Sequence, residues 1–139
     1  LSGLTWLEAE SIAAAISKAN HSEFCSGIRR GMTGALRAES GKLRSKMLAP
    51  VTVFALKVNQ DATSIEPDDI QTVLAAGWSE QTVEDVVALV AIQKLYNTIA
   101  TGLGFKGLPD AAFTEIGKDT VNKGGYVASF QGFIEHSAP

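Results

Sequence analysis

The chain has one cysteine, Cys25, within the run Asn20-His21-Ser22-Glu23-Phe24-Cys25-Ser26-Gly27-Ile28-Arg29-Arg30. A lone thiol is a nucleophile only where its thiolate is favoured, by a helix N-terminus or a cationic neighbour. The local pattern offers both. Ser22 is a good N-cap residue type, which puts Cys25 near the third helical position, in the positive field of the helix start. Arg29 follows one turn later on the same face. His21, four residues before Cys25, is a candidate base, but it precedes the helix and its direction is open. Ser22 also stands three residues before Cys25, where a second cysteine would complete a redox pair. The alternative for Cys25 is a small buried apolar residue, as free cysteines often are. Upstream, Glu10 lies off the centre of an apolar stripe, and by itself reads as a solvated carboxylate.

Composition narrows the classes. The 139 residues fit one domain, 1–139, with 45% apolar and 19% charged residues. Mean hydropathy is +0.10. Such spare apolar surface suggests an oligomer. Net charge is −3, and no basic cluster exceeds Arg29-Arg30. That argues against a nucleic-acid partner. No apolar run approaches the roughly 18 residues a membrane span needs. A single cysteine excludes an intrachain disulfide, and no zinc-ligand spacing is present. No charged-then-apolar leader precedes a cleavage site, so a reducing cytoplasm is expected.

These residues need elements to hold them, and the periodicity before the tail is helical; the Val-rich start of the third segment could also read as a strand, but its helical neighbours favour a helix. Helices are expected over 5–20, 23–38, 50–60, 67–77, 80–103 and 109–123, separated by short turns. Thr5 with Glu8 reads as a capping box for the first. In the second, Phe24, Ile28, Met32, Ala35 and Leu36 form the apolar stripe. Gly27, Gly31 and Gly34 would let another backbone approach. Pro50 and Pro67 open helices, Gly77 suits a C′ position, and Ser79 caps the next helix. That helix is the longest, about 36 Å at 1.5 Å per residue. It is apolar over most of its circumference, which predicts burial in the core or in a subunit interface. The tail 126–139 has no clear period. His136 reads as a plain tail residue. Trp6 and Trp78 read as packing anchors, Tyr96 and Asn97 as core or interface, and Glu84-Asp85 as a solvated helix start.

A helix carrying Glu10, then Asn-x-Ser-x-Phe-Cys, then the run from Gly77 through "Gly-Trp-Ser-Glu-Gln-Thr-Val-Glu-Asp-Val-Val" to "Tyr-Asn-Thr-Ile-Ala", resembles the carboxymuconolactone decarboxylase family, in its alkylhydroperoxidase D-like branch. The resemblance covers about residues 4–103. It implies an all-α, alkylhydroperoxidase D-like helical bundle, assembled as a homo-oligomer (trimer, hexamer or dimer). In the redox branch a Glu, a Cys-x-x-Cys and a His four residues on reduce peroxides through the thiol pair. The Glu position falls on Glu10, the first cysteine on Ser22, the second on Cys25 and the histidine on Arg29.

Two of those four positions are therefore replaced. Ser22 cannot resolve a sulfenic acid as a thiol would. Arg29 cannot relay protons, because a guanidinium stays charged. The resemblance leaves three functions open. One is a one-cysteine peroxidase or thiol antioxidant, with Cys25 as nucleophile, Glu10 handling protons, Arg29 holding the thiolate and an external thiol as reductant. Another is a redox-inactive member with a structural or small-molecule-binding role, in which Glu10 and Arg29 form an ion pair. The third is a non-redox lactone decarboxylase. No metal or organic cofactor is implied.

Overall fold

The computed structural model describes residues 3–40 and 47–128. Among these residues the regular structure is helical, with no strand. In chain order, α1 is Trp6–Ala19, α2 Glu23–Ser40, α3 Leu48–Gln60, α4 Pro67–Ala75, α5 Glu80–Gly102 and α6 Asp110–Asn122, with a 3₁₀ turn at Ala62–Ser64. No helix among them is long and apolar enough to cross a membrane.

The helix starts follow from local chemistry. The Glu8 N–H donates to Thr5 Oγ1 at 3.3 Å, and the Thr5 N–H donates to Glu8 Oε2 at 2.7 Å. These bonds close the expected capping box on α1. Pro50 sits in the first turn of α3, where its missing N–H costs nothing. At α4 the Asp69 carboxylate accepts from Lys57 Nζ at 2.6 Å and from the Glu66 N–H at 2.8 Å. Both bonds hold its carboxyl below the usual carboxylate range, the Lys57 bond more strongly. Gly77 takes φ +87°, a left-handed turn that needs glycine, and Ser79 Oγ accepts from the Thr82 N–H to start α5. The expected 23–38 helix continues to Ser40. Residues 41–46 and 129–139, including His136, lie outside the described residues.

Two apolar cores share α1. One joins Ile12 and Ile16 to Val51, Phe54, Val73, Trp78, Val86 and Val90 of the α3–α5 region. The other joins Leu7 to Met32, Leu36 and Val121, between α2 and α6. A helix with cores on two sides is buried over a broad arc, wider than the stripe expected from periodicity. Ala13, Ile16 and Ser17 are buried, and so are Glu8 and Glu10. The expectation of a solvated Glu10 is thereby corrected: only 4% of it is exposed.

The α2–α6 contact rests on glycine. A Cβ at Gly31 would meet the Phe113 carbonyl, and one at Gly117 would meet the Gly31 backbone. A Cβ at Gly27 would strike the Phe113 ring. Close approach therefore explains Gly27 and Gly31. It does not explain Gly34, which has nothing within 4 Å among the described residues. Gly31→Ala or Gly117→Ala is expected to lower stability by about 1–3 kcal/mol through overpacking. Gly34→Ala should raise it by about 0.5–1 kcal/mol through helix propensity. Urea unfolding measures both, and equal effects at Gly31 and Gly34 would contradict the close approach.

Candidate functional site

The site forms where α1, α2 and the C-terminal half of α5 converge. Its foundation is a set of buried amides. Asn20, which caps the end of α1, donates from Nδ2 to Asn59 Oδ1 at 3.0 Å and to Asn97 Oδ1 at 2.9 Å. Asn59 Nδ2 donates back to Asn20 Oδ1 at 2.7 Å. Ser17 Oγ accepts from Gln93 Nε2 at 2.7 Å and from Asn97 Nδ2 at 3.2 Å, and donates to the Ala13 carbonyl. Polar groups drawn away from water need partners, so such a network fixes register as well as energy. It ties the ends of α1 and α3 to the middle of α5, and so locates the turn that starts α2.

That turn places the sequence-predicted residues unequally. His21 has φ +54° and is exposed, and it does not line the pocket described below. Ser22 is buried at 3% exposure, with its N–H on the Ser17 carbonyl at 3.0 Å, and it is not in the pocket wall either. Cys25 is half-buried in the first turns of α2, and its Sγ donates to the Tyr96 carbonyl at 3.8 Å, a long and weak bond. Asn97, as expected, is core. Tyr96 beside it is 50% exposed, with its side chain in the pocket wall.

Glu10 and Arg29 meet. Arg29 Nη1 donates to Glu10 Oε2 at 2.9 Å and to Oε1 at 3.0 Å, with side chains 10% and 6% exposed. Trp6 Nε1, one turn before Glu10, adds a third hydrogen bond to the carboxylate, on Oε1 at 3.2 Å. The face of Arg29 is covered by the Tyr126 ring, whose centroid lies 4.6 Å from the guanidinium carbon. Burial pushes the Tyr126 phenol above the ordinary tyrosine range. Arg29 opposes that shift, while Glu10 and Cys25 add to it. Periodicity did not reveal Trp6 or Tyr126 as partners. The i, i+4 spacing of Trp6 and Glu10 is a signal that could have revealed the first. Tyr126 comes from across the molecule, beyond the Gly124-Gly125 turn, and has no local signal.

Beside this pair opens a cavity of 590 Å³. Phe24, Ile28, Tyr96, Ile99 and Phe105 supply most of its wall, Cys25 lies in it, and Arg29 is the only charged residue lining it among the described residues. Phe24 packs edge-on against Phe105 at 5.2 Å and against Phe113 at 6.2 Å, stiffening the wall. A volume of this size suits a small organic molecule. No group of three or more His, Cys, Asp or Glu among the described residues could hold a metal ion.

No protein-family model matches the chain, and no curated protein matches it.

A buried charge left without its partner is costly. Glu10→Gln is therefore expected to destabilise the fold by about 3–5 kcal/mol, and replacing both members, as in Glu10→Leu with Arg29→Met, should recover most of that loss. Thermal and urea unfolding check this; a double variant no more stable than the single would show that the pair is not the unit.

Proposed function

We propose that this chain is an alkylhydroperoxidase D-like member of the carboxymuconolactone decarboxylase family that has lost the two-cysteine cycle and keeps its site as a small-molecule-binding pocket. The observation that carries this reading is the buried Glu10–Arg29 pair, in which Arg29 Nη1 holds both carboxylate oxygens. A proton relay needs a carboxylate free to accept a proton from the thiol. Here both carboxylate oxygens are held by a guanidinium, and the thiol hydrogen bond goes to Tyr96 instead. A cavity of 590 Å³ remains beside an idle relay. The lactone decarboxylase reading loses support, because that branch uses a histidine here and His21 lies outside the pocket.

One observation favours a second reading, a one-cysteine peroxidase: Cys25 is half-buried in the wall of a cavity large enough for an organic hydroperoxide. The thiolate sulfur would attack the distal peroxide oxygen, breaking the O–O bond and giving a sulfenic acid and, after protonation, an alcohol. One external thiol would then condense with the sulfenic acid to a mixed disulfide and water. A second would release Cys25 and leave as the external disulfide. Exposure to limiting cumene hydroperoxide with dimedone as trap, read by intact mass, separates the two. The binding-pocket reading expects Cys25 to remain a thiol over minutes. Rapid stoichiometric labelling at Cys25 would reject it in favour of the peroxidase.

We also propose that the chain is a homo-oligomer of a cytoplasmic kind. Support comes from α5, where polar Gln93 and Asn97 face inward while Ile92, Leu95, Tyr96 and Ile99 are 46–58% exposed. An apolar row of this kind on the outside of a helix is a usual mark of a partner surface. Light scattering after size exclusion should give a multiple of 14.7 kDa. Leu95→Glu, which puts a charge in the middle of that row, should shift the protein toward the monomer. An unchanged mass would remove α5 from the interface.

A further inference from the structure

We propose that the Cys25 pocket selects uncharged, ring-bearing apolar molecules, and that Glu10 sets this selectivity as a positioning residue by neutralising Arg29, the only charged side chain in the wall among the described residues. The inference rests on the binding-pocket reading above and adds the class of ligand.

Arg29 would ordinarily mark a pocket for carboxylates or phosphates, since its planar fork matches them. Here one fork nitrogen is already engaged by both oxygens of Glu10, at 2.9 and 3.0 Å. Its face is covered by the Tyr126 ring. A ligand carboxylate entering the cavity would meet a positive and a negative charge side by side. It would shed water and gain little counter-charge in return. A ligand cation meets the same balanced pair, with Glu10 further occupied by the Trp6 indole N–H. What the wall does offer is apolar area and aromatic faces, from Phe24, Tyr96 and Phe105. Rings pack against such groups edge-on or offset. The Cys25 sulfur is a soft contact that tolerates a ring edge.

Glu10 does not line the cavity itself. Its effect on a ligand passes through Arg29, so its role shows in charge preference. A purely structural role would weaken all ligands alike.

The test is calorimetric titration of the full chain at pH 7 with three probes on one ring system: 2-naphthalenemethanol, 2-naphthoate and 2-naphthylmethylammonium. Wild type is expected to bind the alcohol at least tenfold more tightly than either ion. Cys25→Trp, at a half-buried wall position outside the α5 row, should abolish alcohol binding and so locate it. Glu10→Gln leaves Arg29 uncompensated and should improve the carboxylate relative to the alcohol at least tenfold. Arg29→Gln is the mirror arm and should do the same for the ammonium, so either variant suffices if the other fails to fold. Naphthoate binding to wild type as tightly as the alcohol would overturn the charge selection while leaving the pocket reading intact. Unchanged ratios in the folded variants would overturn the role of Glu10. If none of the three probes binds wild type and the chain is self-associated, a second copy fills the pocket, and both the selectivity and the binding-pocket reading fall.

Discussion

A carboxylate and a guanidinium buried together constrain this structure more than any other contact. Glu10 and Arg29 belong to helices that must pack anyway, α1 and α2, and each charge would be costly there without the other. Once paired, they dictate the rotation of both helices about their axes. That rotation turns Leu7 toward Met32 and Leu36 on one side and Ile12 and Ile16 toward the larger core on the other. The pair also recruits the parts around it. Trp6 donates to Glu10 from one turn away, and Tyr126 closes over Arg29 from beyond α6. With Nη1 on both Glu10 oxygens, the Trp6 indole on Oε1 and the Tyr126 ring over the guanidinium, the charged centre is held from several sides.

The same trade between polar and apolar surface appears in α5, inverted. A helix of average globular design turns its apolar residues in and its polar residues out. The first half of α5 obeys this with Val83, Val86 and Val90 buried. The second half buries Gln93 and Asn97 and leaves Ile92, Leu95 and Ile99 outside. The buried amides are largely satisfied by Ser17 and Asn20, although Gln93 Oε1 has no partner among the described residues. The network costs apolar area but secures the junction that starts α2, and with it the position of Cys25 against the Tyr96 carbonyl. Asn20 thus has a structural reason to stand in the Asn-x-Ser-x-Phe-Cys run, independent of any thiol chemistry.

The cavity exists because of what surrounds it. Glycine at 31 and 117 lets α2 and α6 touch backbone to backbone, which draws Phe113 down onto Gly27 and Phe24. Phe105, in the turn after α5, completes the aromatic wall. The thiol, the guanidinium and the rings therefore line one space although they come from distant parts of the chain. Their chemistry is set by who is already bonded to whom: the carboxylate is engaged, the guanidinium is engaged, and the sulfur faces a carbonyl.

Local sequence carries helix starts and stops because caps and turns depend on residues within one or two turns. Thr5 with Glu8, Pro67, Gly77 and Ser79 were legible for that reason, as was the all-helical character. The juxtaposition of Glu10 and Arg29 followed from a resemblance, since nothing local links residues nineteen apart. The full width of the buried arc of α1 and the inward face of the second half of α5 were not legible, although Leu7, Ile12, Val83, Val86 and Val90 followed the apolar period. Burial depends on how many neighbours a helix has, and α1 turned out to have cores on two sides. Only the tertiary structure decided that Glu10 is buried, that Asn97 is inside while Tyr96 is outside, and that Tyr126 covers Arg29. Hydrogen bonds between distant polar groups and the space left between packed helices set these outcomes, and neither has a period that a single stretch of sequence can display.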